Sequence, residues 1–286
     1  MPLVSIIMNC YNCSQYLSEA LDSVSQQTFK DYEIICWDNQ STDGSREIAL
    51  GYGEPLRYFR GEEFLPLGAA RNAALEKAQG KYIAFLDCDD IWFPEKLKKQ
   101  IEIMESNEEL GLVFSDSYVI DSKGNLLRKT YFRIPKPSSG RVFNELFTYN
   151  FIPILTVVIR SDVLGKVGIF DSRYLIAEDY DLFLRIAEHY PIGLIKEPLT
   201  KYRIHKHSVS QRNMIRSFIE ELQIKEDWLR RKPTLKKEIG SRLRRRKALL
   251  YLGMLILSGK DILINKNRQS LREMANIIKL IFTAKL

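Results

Sequence analysis

Short apolar runs separated by amphipathic segments dominate the first part of the chain. The runs at residues 4–8, 33–37, 57–59 and 81–86 predict strands, because apolar runs of this length bounded by polar turns are typical of buried strands. Between them, apolar residues recur at helical spacing, as in the alanine-rich stretch 68–78. This alternation predicts an α/β fold on a mostly parallel, doubly wound sheet, which binds ligands at the carboxyl ends of its strands.

The pattern changes farther along the chain. Strands are predicted at residues 111–114, 157–160 and 191–195, with a helix at about residues 179–189. From about residue 210 onward, glycine and proline become rare and the pattern turns helical. We therefore predict an α/β domain over residues 1–210 and a helical C-terminal extension over residues 211–286.

The net charge of +7 divides unevenly between these two parts. The chain holds 43 Lys and Arg against 36 Asp and Glu, and residues 212–286 carry 19 of the basic and 7 of the acidic residues. The extension therefore has a surplus of +12, and the preceding domain is net −5. A basic chain suggests a nucleic-acid or membrane partner, but here that suggestion applies to the extension alone.

No stretch of the chain has the pattern of a targeting or membrane-spanning segment. The longest nearly apolar run, residues 248–257, has ten residues, whereas a spanning helix needs roughly 20. We predict a cytoplasmic protein whose four cysteines are reduced thiols. Cys10 and Cys13 have C-x-x-C spacing, but no second C-x-x-C accompanies them, so reduced, partly buried thiols are favoured over a zinc or redox site.

Three aspartates follow the strand predicted at residues 81–86. Asp87 and Asp89 project to one side of an extended segment, and two converging carboxylates need a cation or protons to neutralise them. Oxygen ligands of this kind suit Mg²⁺ or Mn²⁺, which also bind substrate phosphates. The alternative is an acidic turn before the next helix, because Asp favours turns.

Neighbouring polar residues favour the metal site over the turn. Asp38 and Asn39 end the strand predicted at residues 33–37 and should open onto the same crevice as Asp87. Arg71, on the helix before the Asp87 strand, offers a guanidinium suited to phosphate oxygens.

The order of these motifs resembles glycosyltransferase family 2, a large group of inverting enzymes with the GT-A fold. The matching motifs are V-S-I-I-M-N-C-Y-N at residues 4–12, S-x-x-x-Q-T-F at 23–29, D-N-Q-S-T-D-G-S at 38–45, G-A-A-R-N at 68–72, G-K-Y-I-A-F-L-D-C-D-D at 80–90, V-G-I-F-D at 167–171, E-D-Y-D-L-F-L-R at 178–185 and Y-R-I-H at 202–205. Each is weak alone, but their order and spacing are specific. The resemblance implies a catalytic domain over residues 1–210, with a nucleotide-sugar-binding half at 1–115 and an acceptor-binding half at 116–210.

The resemblance also implies roles for individual residues. The donor nucleotide, expected to be a UDP-sugar, would be held by Tyr11, Asp38, Asn39, Arg71 and Asp87. Asp89 would bind the Mn²⁺ or Mg²⁺ ion at the pyrophosphate, supported by Asp87 or Asp90. His205 would be a further metal ligand, a phosphate contact or simply a polar residue at a strand end. Many family members have two aspartates where this chain has Asp38 and Asn39. This difference leaves the identity of the donor's nucleobase undetermined.

On the acceptor side, the resemblance implies that Asp179 is the general base that takes the proton of the acceptor hydroxyl. Glu178 points elsewhere if the segment is helical, so only one of the two is the base. The alternative is that both are simply acids at a helix N-terminus, where the helix dipole favours them. Acceptor contacts are expected from Trp92, Glu178 and Thr156, although Trp92 could equally belong to the core.

The extension allows two compatible interpretations. Leu249, Leu250, Leu252, Leu255 and Ile256 supply an apolar face that docks on the catalytic domain or pairs with another subunit of a homo-oligomer. Alternatively, the basic run binds an anionic membrane surface, and each Lys or Arg near that surface contributes ~1 kcal/mol to the binding free energy. We expect helices that hold a lipid-linked saccharide acceptor at the inner face of the plasma membrane. No nucleic-acid partner is expected, because no recognised nucleic-acid motif is present.

The sequence thus predicts a metal-dependent inverting glycosyltransferase that moves a hexosyl or N-acetylhexosaminyl group from a nucleotide sugar to a saccharide hydroxyl, in polysaccharide or glycoprotein biosynthesis. One alternative is a nucleotidyltransferase on a related sheet, which should carry a glycine-rich, basic loop after the first strand. Residues 9–14, which follow the first predicted strand, are neither glycine-rich nor basic. The other alternative is a nucleotide-sugar-binding module, which would not need an acidic residue at position 179.

Overall fold

The computed structural model describes residues 1–132 and 137–265, which form nine strands, ten α-helices and a short 3₁₀ helix at Ile154–Thr156. The strands are β1 (Val4–Cys10), β2 (Tyr32–Asp38), β3 (Leu56–Arg60), β4 (Tyr82–Phe85), β5 (Ile91–Trp92), β6 (Leu112–Ile120), β7 (Leu126–Arg128), β8 (Val158–Arg160) and β9 (Ile192–Arg203). The helices are α1 (Leu17–Ser25), α2 (Ser45–Tyr52), α3 (Leu67–Leu75), α4 (Lys96–Ser106), α5 (Phe143–Thr148), α6 (Ser161–Val167), α7 (Glu178–His189), α8 (Val209–Arg212), α9 (Met214–Arg231) and α10 (Leu235–Asn265). Residues 266–286 of the predicted extension lie outside the described residues.

The strands form one sheet in the order β3-β2-β1-β4-β8-β6-β9-β5, with β7 paired to β6. Strands β3, β2, β1 and β4 are parallel to one another. Strand β8 is antiparallel to both of its neighbours, whereas β6 and β9 are parallel. The expected α/β class with a mostly parallel sheet is confirmed, and the antiparallel pairs are concentrated in the second half of the sheet.

The strands at the centre of the parallel half are buried along nearly their whole length. Every residue of β1 except Asn9 is buried, so the strand is mostly apolar on both faces instead of alternating between apolar and polar residues. Its one buried hydroxyl is satisfied, because Ser5 donates to Glu33 on β2 at 2.6 Å. Arg57 on β3 pairs with the second oxygen of Glu33 at 2.5 Å. One polar cluster thus ties three parallel strands together near their beginnings.

The chain divides into two compact units. The first comprises Met1–Leu146 and Phe151–Lys206 and contains the sheet, and the second comprises Phe147–Asn150 and His207–Leu286. In the second unit, Leu222 of α9 packs with Leu250, Tyr251 and Met254 of α10. The backbone of α10 leaves helical geometry at Ile239, which divides it into two helical segments. Within the described part of the chain, no helix has the length and apolar character needed to cross a bilayer.

Candidate active site

Parallel pairing brings the ends of β1, β2 and β4 to one edge of the sheet. Cys10 at the end of β1 is aligned with Asp38 at the end of β2, and Ile7 is aligned with Phe85 at the end of β4. Asp87 lies two residues after the end of β4. The segments proposed from the sequence to bind the donor therefore meet at the carboxyl edge, as is usual for ligand sites in such sheets.

The Asp38 carboxylate is fully buried and already has three donors. The backbone N–H of Ser41 donates to Oδ1 at 2.7 Å, while Arg60 (2.8 Å) and the Tyr58 hydroxyl donate to Oδ2. Burial, together with the hydrogen bond to Asp38, raises the pKa of Tyr58 to about 12. Asp38 therefore fixes the turn after β2, and Tyr58 and Arg60 are neighbours of the site that the sequence motifs did not single out.

Asn39 is buried and uses both ends of its amide on one residue. Its Nδ2 donates to the Leu65 carbonyl at 2.8 Å, and its Oδ1 accepts the Leu65 N–H at 3.0 Å. This two-point bond joins the end of β2 to the loop before α3. Asn39 thus positions that loop, which carries Phe64.

Two exposed aromatic rings lie at this edge. Tyr11 and Phe64 are 51% and 58% exposed, and their rings meet edge to face with centroids 4.8 Å apart. Exposed aromatic pairs are uncommon without a ligand or partner, since burial of such rings contributes strongly to stability. Phe64 lies outside every motif recognised in the sequence, and its pairing with Tyr11 depends on a loop that periodicity does not predict.

Arg71 of α3 lies at the centre of an acidic cluster. Its side chain is 4% exposed and bonds Asp87 at 2.9 Å and Glu178 at 2.5 Å. Burial disfavours its charge, but the carboxylates of Asp87, Glu178 and Asp179 outweigh that effect and raise the pKa of Arg71. The guanidinium therefore links α3, the turn after β4 and the first turn of α7.

The two acids that begin α7 have different surroundings. Glu178 is buried against Arg71, whereas Asp179 is partly exposed and accepts the backbone N–H of Tyr180 at 2.6 Å. Burial, followed by the charge of Glu178, raises the pKa of Asp179 to about 7, against the opposing charge of Arg71. Asp179 can therefore take up or release a proton near neutral pH.

A second cluster surrounds Asp89. Its Oδ2 lies 2.7 Å from Nε2 of His205, and Arg203 donates from Nε to its carbonyl at 2.7 Å. The backbone N–H of Arg203 also bonds Oδ1 of Asp90 at 2.7 Å, while Oδ2 of Asp90 is buried and has no hydrogen-bond partner among the described residues. Burial, followed by the charges of Asp89 and Asp87, raises the pKa of Asp90 well above its usual value. Asp90 thus lies inside the protein as a support for Asp89.

The donor set of this cluster fits a divalent cation held by few protein ligands. Asp89 supplies a carboxylate and His205 an imidazole at contact distance, and Mg²⁺ or Mn²⁺ in such sites usually takes one or two carboxylates and completes its shell with phosphates and water. Asp87 faces Arg71 instead. In the part of the chain that the structure describes, Asp87, Asp89 and His205 do not gather their ligand atoms within 4.8 Å of one another.

The three expected acceptor contacts are not available on the surface. Trp92 is 2% exposed, donates from Nε1 to the Leu155 carbonyl at 3.0 Å and has the Lys96 ammonium 3.9 Å from its ring centroid. Thr156 is also buried and donates to the Pro153 carbonyl at 2.7 Å. Both lie in the core. For Thr156 this differs from the expected acceptor contact, and for Trp92 it is the alternative that the sequence left open. The buried Glu178 is a partner of Arg71.

Several known proteins are similar to this chain in sequence. Residues 5–168 match the family model described as "Glycosyl transferase family 2". An uncharacterized glycosyltransferase of Methanocaldococcus jannaschii is 39% identical over 213 residues, 71% of each chain. The Escherichia coli UDP-Glc:alpha-D-GlcNAc-diphosphoundecaprenol beta-1,3-glucosyltransferase is 33% identical over 211 residues, 73% of this chain and 79% of that one. A Rickettsia felis glycosyltransferase is 32% identical, but this chain spans only 36% of its length.

Solved structures share the fold. Staphylococcus aureus TarS (residues 1–349) in complex with UDP-GlcNAc superposes with a TM-score of 0.62 at 17% identity, covering 98% of this chain and 91% of that one. The Pyrobaculum calidifontis mannosyltransferase in complex with GDP-Man and Mn²⁺ superposes with a TM-score of 0.59 at 16% identity, covering 98% and 85%. The expected GT-A fold is confirmed.

The amide of Asn39 gives a prediction about stability. Asn39→Asp should destabilise the protein by about 1–3 kcal/mol, because a carboxylate would replace the donor that faces the Leu65 carbonyl. Asn12→Asp is the matched control, since within the described part of the chain the Asn12 side chain bonds only through its oxygen, which accepts the Thr42 N–H at 2.8 Å. Urea unfolding of both variants measures the difference, and equal stabilities would contradict the positioning role of Asn39.

Proposed function

Because this chain belongs to glycosyltransferase family 2, we propose that it is a metal-dependent, inverting enzyme that transfers a sugar from a nucleotide sugar to a saccharide hydroxyl. Asp179 is the general base in this proposal. The observation that carries it is the partly exposed Asp179 carboxyl at the start of α7, whose pKa of about 7 matches the requirement for a base at neutral pH.

The edge of the sheet supports a nucleoside diphosphate donor. The exposed Tyr11 and Phe64 rings offer faces to a base, and the Arg71 guanidinium, 2.9 Å from Asp87, would supply positive charge for a diphosphate. The E. coli relative is named for UDP-Glc, and the TarS structure is titled as a complex with UDP-GlcNAc. We propose a UDP-sugar of the hexosyl or N-acetylhexosaminyl type.

In the proposed reaction, Asp179 accepts the proton of the acceptor hydroxyl as its oxygen bonds to the anomeric carbon from the side opposite the leaving group. This direction of attack inverts the configuration. Glu178 does not compete for the role, because it is buried and paired with Arg71. Its charge instead keeps the pKa of Asp179 high enough for the carboxylate to be an effective base.

Asp89 and His205 would hold the divalent cation, with the Arg203–Asp90 contact fixing the backbone beneath them. When bound, the cation would offset the negative charge that develops on the departing nucleoside diphosphate. The mannosyltransferase structure that shares this fold is titled as a complex with Mn²⁺. Arg71 would supply fixed positive charge nearby whether or not the metal is bound.

The first test concerns Asp179. We expect Asp179→Asn to lower kcat by about 10²–10⁴-fold, the usual contribution of a general base, while donor affinity is kept. In the unchanged protein, kcat should rise with pH through about 7 and then level off, because only the deprotonated carboxylate accepts a proton.

Two further variants control this experiment. Glu178→Gln should move the midpoint of the pH profile to lower pH, since it removes a charge that raises the pKa of Asp179. Asp162→Asn makes the same change as Asp179→Asn at an exposed position in the first turn of α6 and should leave kcat unchanged. Full turnover by Asp179→Asn would eliminate Asp179 as the base.

The second test concerns the metal. Donor binding, measured by calorimetry, should strengthen when Mn²⁺ is added and weaken when EDTA removes it. Asp89→Asn should abolish this metal dependence, because an amide oxygen carries no net charge. The exposed Asp162→Asn variant should retain it. Donor affinity that responds to neither EDTA nor Asp89→Asn would overturn the metal assignment.

We propose further that the second unit binds an anionic membrane surface and thereby favours a lipid-linked acceptor. Arg242, Arg245, Leu249, Leu252 and Ile256 are all exposed on α10 and follow one another at spacings of three and four residues, so they share one helix face. A face that joins basic and apolar residues in this way is typical of helices that lie in the membrane interface. Such a location is compatible with peripheral attachment at the cytoplasmic side.

The basic residues of α10 do not all contribute to this surface. Arg246 bonds both oxygens of the buried Glu221 at 2.9 and 2.8 Å, and Lys225 bonds the same carboxylate at 2.8 Å. These contacts hold α9 and α10 together. Arg242, Arg244 and Arg245 are exposed, so they can be changed without breaking that cluster.

The third test is co-sedimentation of the full chain with vesicles of phosphatidylglycerol and phosphatidylcholine. Changing Arg242, Arg244 and Arg245 to Gln should weaken vesicle binding about 100-fold at low salt, because each lost charge removes ~1 kcal/mol of binding free energy. The same loss of charge at the exposed Lys98, Lys123 and Lys129 of the first unit is the control and should have little effect. Equal binding by both variants would contradict the membrane-facing role of α10.

A further inference from the structure

Three cysteines from two separate segments meet beside the carboxyl edge of the sheet. Cys10 ends β1, Cys13 follows it by three residues, and Cys88 lies in the turn after β4. Their sulfur atoms all lie within 4.8 Å of one another, with Sγ of Cys10 and Sγ of Cys13 3.1 Å apart. All three are free thiols. Among the described residues this is the one place where three potential metal ligands gather so closely.

We propose that Cys10, Cys13 and Cys88 form a binding site for Zn²⁺. This site is separate from the Asp89–His205 pair. The two sites differ in chemistry, because thiolates select soft or borderline cations such as Zn²⁺, whereas carboxylates suit Mg²⁺ and Mn²⁺. The proposal does not depend on the transferase activity, since it rests only on the placement of the three sulfur atoms.

The separations between the sulfur atoms are close to those that zinc requires. With Zn–S bonds of about 2.3 Å in tetrahedral geometry, sulfur atoms lie about 3.8 Å apart. The Cys10–Cys13 separation of 3.1 Å is shorter than that value, and no separation among the three sulfurs exceeds 4.8 Å. Small side-chain rotations, without a change in the course of β1 or β4, would bring all three sulfurs onto one ion.

A fourth ligand and an entry path are also available. The hydroxyl of Ser41 lies 3.7 Å from the Cys10 sulfur, and that of Ser45 lies 3.8 Å from the Cys13 sulfur. Cys10 and Cys88 are buried, whereas Cys13 is partly exposed, so solvent reaches the cluster on the Cys13 side. A hydroxyl or a water molecule can complete a tetrahedral shell there.

The neighbouring contacts separate this cluster from the aspartates beside it. The Cys88 thiol faces β1 and donates to the Asn9 carbonyl at 2.7 Å. The adjacent Asp87 faces Arg71, and Asp89 faces His205. A metal on the three sulfurs would therefore bind between the loop after β1 and the turn after β4, and would join the segment that carries Tyr11 to the one that carries Asp89.

A disulfide is the competing use of these thiols. It would join Cys10 to Cys13 and leave Cys88 without a role, although the Cys88 sulfur also lies within 4.8 Å of both other sulfurs. The meeting of three sulfurs from two segments is what a metal site requires and a disulfide does not. The experiment must therefore detect all three thiolates on one ion.

The test uses the reduced full chain, saturated with Mg²⁺ so that the carboxylate site is occupied. Added Co²⁺ should give one equivalent of thiolate-to-cobalt charge-transfer absorption, which Zn²⁺ should displace. The signal should be lost in Cys10→Ser, Cys13→Ser and Cys88→Ser. It should persist in Asp89→Asn, which changes the other site.

A second measurement on the unchanged chain covers the case in which a cysteine variant does not fold. Zn²⁺ should slow alkylation of the partly exposed Cys13 by iodoacetamide at least about tenfold, because a metal-bound thiolate is a poor nucleophile. Mg²⁺ should not. The proposal is overturned if no thiolate-to-cobalt absorption appears, if Zn²⁺ leaves Cys13 alkylation unchanged, or if Asp89→Asn removes the cobalt signal.

Discussion

The first unit depends on one buried guanidinium. Arg71 is paired with Asp87 after β4 and with Glu178 at the start of α7, so it fixes three elements that are distant in the sequence. A buried charge of this kind is tolerated only while its partners remain, because removal of one partner leaves another charge in a poorly solvated place. The two ion pairs of Arg71 therefore constrain the elements that they join. Helix α7 can begin only where Glu178 reaches Arg71, and that position determines where Asp179 lies. The placement of the proposed base follows from an ion pair made by its neighbour.

The acids around Arg71 and Arg203 are more numerous than the cations, and they respond in different ways. Glu178 and Asp87 are compensated by direct contact with Arg71. Asp90 is compensated only in part, by the backbone N–H of Arg203, and its pKa is well above the usual value. Asp179 lies between these cases, with a pKa of about 7. A site that concentrates like charges in this way is stable only because protons, cations or a metal relieve the repulsion, and that is the condition under which a carboxyl group becomes a useful base.

Continuous apolar runs made β1, β2 and β4 predictable, since strands buried on both faces need no polar residues. The same rule failed for β9, which was predicted at residues 191–195 and extends over Ile192–Arg203. Its middle carries exposed Lys196 and Glu197, and its pairing with β6 shifts register near Asp116, so neither strand has a regular period there. At the candidate site, the predicted strand ends place Asp38 and Asp87 at the carboxyl edge, as the structure has them, but Phe64 and Arg203 come from elements whose approach depends on tertiary contacts. Trp92 shows the converse limit, because a large aromatic residue beside a motif has the same sequence pattern whether it faces a ligand or the core.

The charge of the extension has more than one physical role. Its surplus of +12 suggests a uniformly basic surface, yet Arg246 and Lys225 are used inside the second unit against Glu221, where burial would be unfavourable without that carboxylate. These two cations support the packing of α9 on α10 and cannot also bind an external anion. The exposed residues Arg242, Arg244 and Arg245 lie in the turns before Leu249 and Leu252, so the remaining charge is concentrated beside the exposed apolar face of α10. It is this juxtaposition, more than the net charge, that favours a membrane surface over a purely electrostatic partner, because a polyanion without an apolar phase would leave the leucines in water.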